Sequence, residues 1–193
     1  MKTILYTIGH STLPIEKFVQ ILRSFEIGSV VDVRTIPRSR HNPQFNQAEL
    51  ERELQTQGIA YLYLKELGDL RPASKISINT GWKNASFRGF ADYMQTAEFQ
   101  TGLEELIELS SKKRTVIMCA EALPWRCHRS LIGDALLVRD ISVEDILGEK
   151  ISKPHKMTPW AKIGGKAITY PEISQTARDA EMVADLLESH SAG

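Results

Sequence analysis

Thr3-Ile-Leu-Tyr-Thr-Ile8, closed by Gly9-His10-Ser11, and Ser29-Val-Val-Asp-Val33, closed by Arg34, decide how this chain folds. Both stretches are short, rich in β-branched residues and apolar along nearly their whole length, which is the pattern of strands buried on two faces. Between them, Pro14 stands where the first turn of a helix tolerates a ring. Ile15, Phe18, Val19 and Leu22 then recur at the spacing of one helix face. Strand, helix, strand at this spacing is a parallel crossover unit.

The alternation continues outward. A polar, proline-bearing loop runs from Arg34 to Asn46, and Asn46 with Glu49 fits a capping box for a helix carrying Leu50 and Leu54 and ending at Gly58. Ile59–Leu64 (IAYLYL) reads as a third strand. Gly68 to Gly89 is a long irregular connection, of the kind that is usually functional. Phe90, Tyr93, Met94 and Ala97 predict one helix, and Phe99, Leu103, Leu106 and Ile107 another. Thr115–Met118 (TVIM) is a fourth strand, Leu131, Ile132, Ala135 and Leu136 a further helix, and Ile141–Leu147 a fifth strand. The expected fold is a single α/β domain: a three-layer, mostly parallel open sheet with helices on both faces, spanning residues 1–173. An eight-stranded barrel needs more strands and a longer chain.

Between Glu149 and Glu172 there is no acidic residue, whereas Lys150, Lys153, Lys156, Lys162 and Lys166 are present with His155 and Trp160. Composition favours a solvated surface connection, with an anion-contacting flap as the sharper alternative. Ser174 to Ser189 has the spacing of an amphipathic helix, so residues 174–193 are expected to be a C-terminal helix or frayed tail.

The 193 residues carry 24 Lys plus Arg against 24 Asp plus Glu, which excludes a generally cationic nucleic-acid coat but not a local basic patch. At 42% hydrophobic and 25% charged, the composition is that of a globular protein and not of a disordered one. No apolar run is long enough for a bilayer span, and the N-terminal residues do not read as a signal peptide. Two cysteines are too few for a disulfide scaffold, so a reduced, cytoplasmic setting with no membrane contact is expected.

The unusual residues fall after strands. His10 and Ser11 follow the first, Asp32 and Arg34 bracket the end of the second, and Tyr63 closes the third. Cys119 and Glu121 follow the fourth, and Cys127-His128-Arg129 opens the next helix. In a parallel sheet all of these share the rim where ligands bind. A cysteine near a helix N-terminus and beside Arg and His has its thiolate favoured. Cys119 is the expected nucleophile, because it stands directly at a strand end, with Cys127 assisting. His128 or His10 would carry protons and Glu121 would orient or act as base. Ser11, Asp32, Arg34, Arg38, Arg129 and Tyr63 are the expected substrate contacts, the guanidinium groups suiting an anion. The alternative for both cysteines is inert core packing. No phosphatase loop, dinucleotide-binding motif or P-loop is present. No cofactor is required, although two thiolates with His10 or His128 make zinc an open possibility despite their wide spacing.

Several motifs occur together and in order: Thr7-Ile8-Gly9-His10-Ser11; Asp32-Val33-Arg34 with Pro37-Arg38-Ser39; Tyr63 with Leu67-Gly68; Phe90 with Tyr93-Met94; and Cys119-Ala120-Glu121 with Pro124 and Cys127-His128-Arg129. Over residues 3 to 170 the chain resembles the domain-of-unknown-function family numbered 488. Gly68-Asp69 departs from the Gly-Gly associated with that family. The resemblance implies a compact α/β domain and leaves its activity open.

The leading expectation is an enzyme with a cysteine-containing site acting on an anionic substrate, a phosphate-bearing nucleotide or nucleic-acid component, as hydrolase or transferase. Two other classes stay open. One is a non-catalytic nucleic-acid-binding or regulatory module using the arginine loop and the Lys150–Lys166 stretch. The other is a metal-binding or thiol redox-sensing protein. The oligomeric state is not legible.

Overall fold

Six strands form one sheet in the order β3-β2-β4-β1-β5-β6, from β1 (Ile4–Gly9), β2 (Ser29–Asp32), β3 (Ala60–Tyr63), β4 (Thr115–Cys119), β5 (Ser142–Gly148) and β6 (Ile151–Pro154). The first five are parallel, and only β6 runs antiparallel, on β5. The computed structural model describes residues 3–172, and the helix expected at Ser174–Ser189 lies outside them.

The strand order explains where the helices lie. The chain leaves β1 for β2 and then β3 in one direction, and it leaves β3 for β4 and then β5 in the other. Right-handed crossovers running in opposite directions place their helices on opposite faces. Accordingly α1 (Ile15–Ser24) and α2 (Gln47–Thr56) bury Phe18, Leu22, Leu50 and Leu54 against Tyr6, Ile8, Val30, Val116 and Met118. On the other face α3 (Ala85–Tyr93), α4 (Ala97–Lys112) and α5 (Arg129–Leu137) pack against Leu5, Val31, Ile117 and Val143. Along β4 the side chains alternate between these cores, which leaves Cys119 on the α5 face. The three-layer α/β architecture is the one the alternating pattern predicts.

Local details differ. Asn46 occupies the N-cap of α2, but its carboxamide does not cap the helix; Oδ1 instead accepts the Ser39 N–H at 2.8 Å, tying down the arginine loop. α3 begins inside the expected irregular connection, with Asn84 Oδ1 accepting Ser86 N–H at 2.8 Å, and it ends before Ala97, which opens α4. Gly89 lies within α3 because a Cβ there would stand 2.1 Å from the Arg71 carbonyl oxygen. The basic segment is no bare connection either: it supplies β6 and a hairpin, β7 (Lys162–Gly164) with β8 (Ala167–Thr169). Among the described residues, no helix is long and apolar enough to cross a membrane.

Candidate functional site

Neighbouring strands β1 and β4 lead into connections that diverge, so the point between their carboxyl ends is the switch point of the sheet. The two ends are pressed together. Gly9 lies in register with Cys119, His10 N–H donates to the Cys119 carbonyl at 2.9 Å, and Ser11 N–H donates to that of Ala120 at 2.9 Å. A Cβ at Gly9 would stand 1.9 Å from the Glu121 carbonyl oxygen, so only glycine lets the post-β4 loop lie here. Ser11 pays with a positive φ of 46°.

On one side of the switch point the charges are closed upon themselves. Arg34 Nε donates to Asp32 Oδ1 at 2.9 Å and Nη2 to Oδ2 at 2.5 Å, and Nη2 also reaches the Phe45 carbonyl at 2.8 Å. Tyr61 donates its hydroxyl to Asp32 Oδ2 at 2.8 Å. His10 stacks on Phe45 with centroids 4.0 Å apart and donates Nδ1–H to the Ser11 carbonyl at 2.8 Å. Its Nε2 lies 3.3 Å from Arg34 Nη1, where it accepts. Burial lowers the His10 pKa to about 4 with the Arg34 cation assisting, and the bond to Ser11 only partly offsets this, so the ring is neutral.

On the other side are the sulfurs. Cys119 Sγ, Cys127 Sγ and a His128 ring nitrogen lie within 4.8 Å of one another, and all three residues are buried. Cys127 Sγ is 3.5 Å from His128 Nδ1 and accepts from Arg129 Nε at 3.3 Å. His128 Nε2 donates to the Val33 carbonyl at 3.0 Å, and Arg129 Nη2 donates to the Glu121 carbonyl. Burial alone would raise the Cys127 pKa. The Cys119 thiol, His128 and Arg129 outweigh it and hold Cys127 well below the usual thiol range. Cys119 is correspondingly raised by its hydrogen bond to Cys127, by burial and by the neighbouring negative charge. Burial works against a charged His128, but the Cys127 sulfur, and beyond it Asp69, raise its pKa. The surroundings therefore favour a thiolate at Cys127 and a proton on His128, just ahead of the N-terminus of α5.

This cluster floors a cavity of about 490 Å³ lined also by Asp69, Asn84, Glu121 and Arg126. A smaller cavity of about 240 Å³ shares Asp69, Cys119 and Ala120 with it and adds His10, Arg34 and Arg38. The predicted residues therefore divide. Cys119, Glu121, Cys127 and His128 meet at one cavity, and His10, Arg34 and Arg38 border the adjoining one. Asp32 and Arg129 are buried beneath, at 0% and 1% exposure. Ser11 lines a separate cavity with Leu13 and Lys17, and the Tyr63 hydroxyl donates to the Thr35 carbonyl at 2.9 Å. Glu121 is exposed, and its carboxylate accepts the Leu123 N–H at 3.3 Å. Sequence reasoning missed Asp69, Asn84 and Arg126 as lining residues. The cap signal Asn84-x-Ser86 inside the long connection was the legible hint of one of them.

No curated protein matches this chain, and no solved structure matches it. The family model described as domain of unknown function DUF488 matches residues 14–136, well over half the chain and including the ends of β2, β3 and β4. On that match, the chain belongs to the DUF488 family.

Proposed function

We propose that this protein is an enzyme in which the Cys127 thiolate attacks an electrophilic centre of an anionic substrate. The observation that carries the reading is the pair of nitrogens that converge on one sulfur, His128 Nδ1 at 3.5 Å and Arg129 Nε at 3.3 Å, at the floor of a polar cavity. Cys127 and not Cys119 is the nucleophile, because His128 Nδ1 and Arg129 Nε both reach the Cys127 sulfur, whereas burial and the neighbouring sulfur raise the Cys119 thiol. His128 then protonates the leaving group, and water or a second substrate releases the product, as in a hydrolase or transferase. Arg38 and Arg126 are exposed at the two cavities, and the N-terminus of α3 opens beside Asn84, so an anion finds cationic partners there beside the carboxylates of Asp69 and Glu121.

The test is the rate of iodoacetamide alkylation at Cys127, followed by peptide mass spectrometry against pH. A plateau persisting well below pH ~8.5, the ordinary thiol midpoint, supports the reading, as does loss of turnover of phosphate-bearing substrates in Cys127→Ser. A midpoint at the ordinary value refutes it.

One observation favours a second reading. Two sulfurs and one imidazole nitrogen stand within 4.8 Å, and the other nitrogen of that imidazole is anchored on a carbonyl, the outer-shell arrangement of a metal-bound histidine. Cys119, Cys127 and His128 would hold a zinc ion, which would supply Lewis acidity there. About one equivalent of zinc in protein purified without chelators, lost in Cys119→Ser, would replace the thiolate reading with this one.

A further inference from the structure

All three tryptophans of the chain, Trp82, Trp125 and Trp160, line a single cavity of about 480 Å³. It adjoins the thiol cavity across the turn Pro124–Arg126: Pro124 and Trp125 face the tryptophan side, Arg126 and Cys127 the other. Trp82 and Trp160 are half-buried, 5.1 Å apart between centroids, and packed on Phe87 and Tyr170, so core packing accounts for part of their placement. It does not account for Trp125, which is 61% exposed. The indole nitrogens of Trp82 and Trp160 are buried without an acceptor in the protein, a state that an ordered water or a group entering the cavity would relieve.

The rim is cationic. Lys153 and Lys156 line the cavity and are exposed, and no acidic residue occurs between Glu149 and Glu172. The carboxylate of Asp145, which also lines the cavity, is already engaged by the Thr7 hydroxyl at 2.6 Å and by His155 Nδ1 at 3.1 Å. Flat aromatic walls beside free ammonium groups match a planar ring joined to an anion by a short linker.

We propose that this cavity binds a nucleobase bearing a phosphate, with the base against the tryptophans and the phosphate on Lys153 and Lys156. The binding does not depend on Cys127, so it stands or falls separately from the thiol chemistry.

Because every tryptophan lies at the cavity, the whole indole emission of the protein reports on it. The full chain is titrated with mononucleotides, with short single-stranded oligonucleotides, and with ribose 5-phosphate and inorganic phosphate as controls, by fluorescence and calorimetry. Saturable binding of the nucleotides or oligonucleotides, with neither control binding, is expected. Trp125→Ala should weaken it about tenfold, and Trp125→Phe should restore much of the loss. The double variant Lys153→Gln, Lys156→Gln should weaken it and flatten its salt dependence. Oligonucleotides binding much more tightly than mononucleotides would identify a strand as the source, and equal affinities a free nucleotide. The proposal is overturned by no saturable binding at roughly millimolar ligand, by controls that bind equally well, or by a Trp125→Ala variant that binds normally.

Discussion

Two polar clusters, both buried and both rich in charge, sit side by side at the end of β1 and β4. In the Asp32–Arg34–His10 cluster every strong donor meets an acceptor: the guanidinium is shared among Asp32, Phe45 and His10, and the carboxylate also takes the Tyr61 hydroxyl. In the Cys119–Cys127–His128–Arg129 cluster donors exceed acceptors, and Arg129 Nη1 is buried with no partner. Among the described residues, only three buried side-chain polar atoms lack a hydrogen bond, and each belongs to the thiol cluster or the tryptophan cavity. Burial alone therefore does not mark a reactive site. What separates the two clusters is unspent hydrogen-bonding capacity next to an open cavity, which a saturated ion pair does not have.

That contrast breaks most visibly at Asp32. Asp32→Ala leaves the Arg34 cation buried without a counter-charge, and an arginine cannot shed its proton, so the expected loss is about 3–5 kcal/mol in urea unfolding. Cys127→Ala removes the thiolate, but His128 can relax by deprotonating and Arg129 keeps its bond to the Glu121 carbonyl, so the expected cost is smaller, about 1–3 kcal/mol, while thiol reactivity disappears. Equal losses in the two variants would erase the distinction. Gly9→Ala tests how the two sides are joined. Its Cβ would collide with the Glu121 carbonyl, which also receives Arg129, so about 1–3 kcal/mol of stability and the low pH limb of Cys127 alkylation should be lost together. Retained alkylation at full rate would show that the sulfur does not need this contact.

The alternating strands and helices, and the meeting of Cys119, Glu121, Cys127 and His128, were legible because a parallel sheet brings its strand ends to one rim. The saturation of Arg34 was not. Nothing in Asp32-Val33-Arg34 says whether the guanidinium turns back to a carboxylate two residues away or outward to a ligand. Likewise Gly89 read as the end of a loop, when it is a helical position kept small by the backbone of Arg71. The residues of β6 read as a solvated connection because an edge strand is exposed on its open side and is protected by Lys and Pro, here Lys153 and Pro154. Edge strand and surface loop share one composition, and only pairing with β5 tells them apart.

A smaller effect sharpens the comparison through two histidines that titrate in opposite senses. His155 is clasped by Asp145 at Nδ1 and Asp134 at Nε2, both at 3.1 Å. Burial opposes its charge, but the two carboxylates raise its pKa to about 9. Its contribution to stability is complete below pH 6.5, the unfolded value, and is lost as the pH rises towards 9. His10, lowered to about 4, contributes above pH 6.5 and its share is lost as the pH falls towards 4. Melting temperatures of the wild type minus those of His155→Gln should therefore shrink by a few degrees between pH 6.5 and 9. The difference from His10→Gln should shrink instead between pH 6.5 and 4. A difference curve for His155→Gln that stays flat to pH 9 would mean the imidazole is neutral between its two carboxylates. In that case the saturated clusters of this protein would hold together by geometry and not by charge.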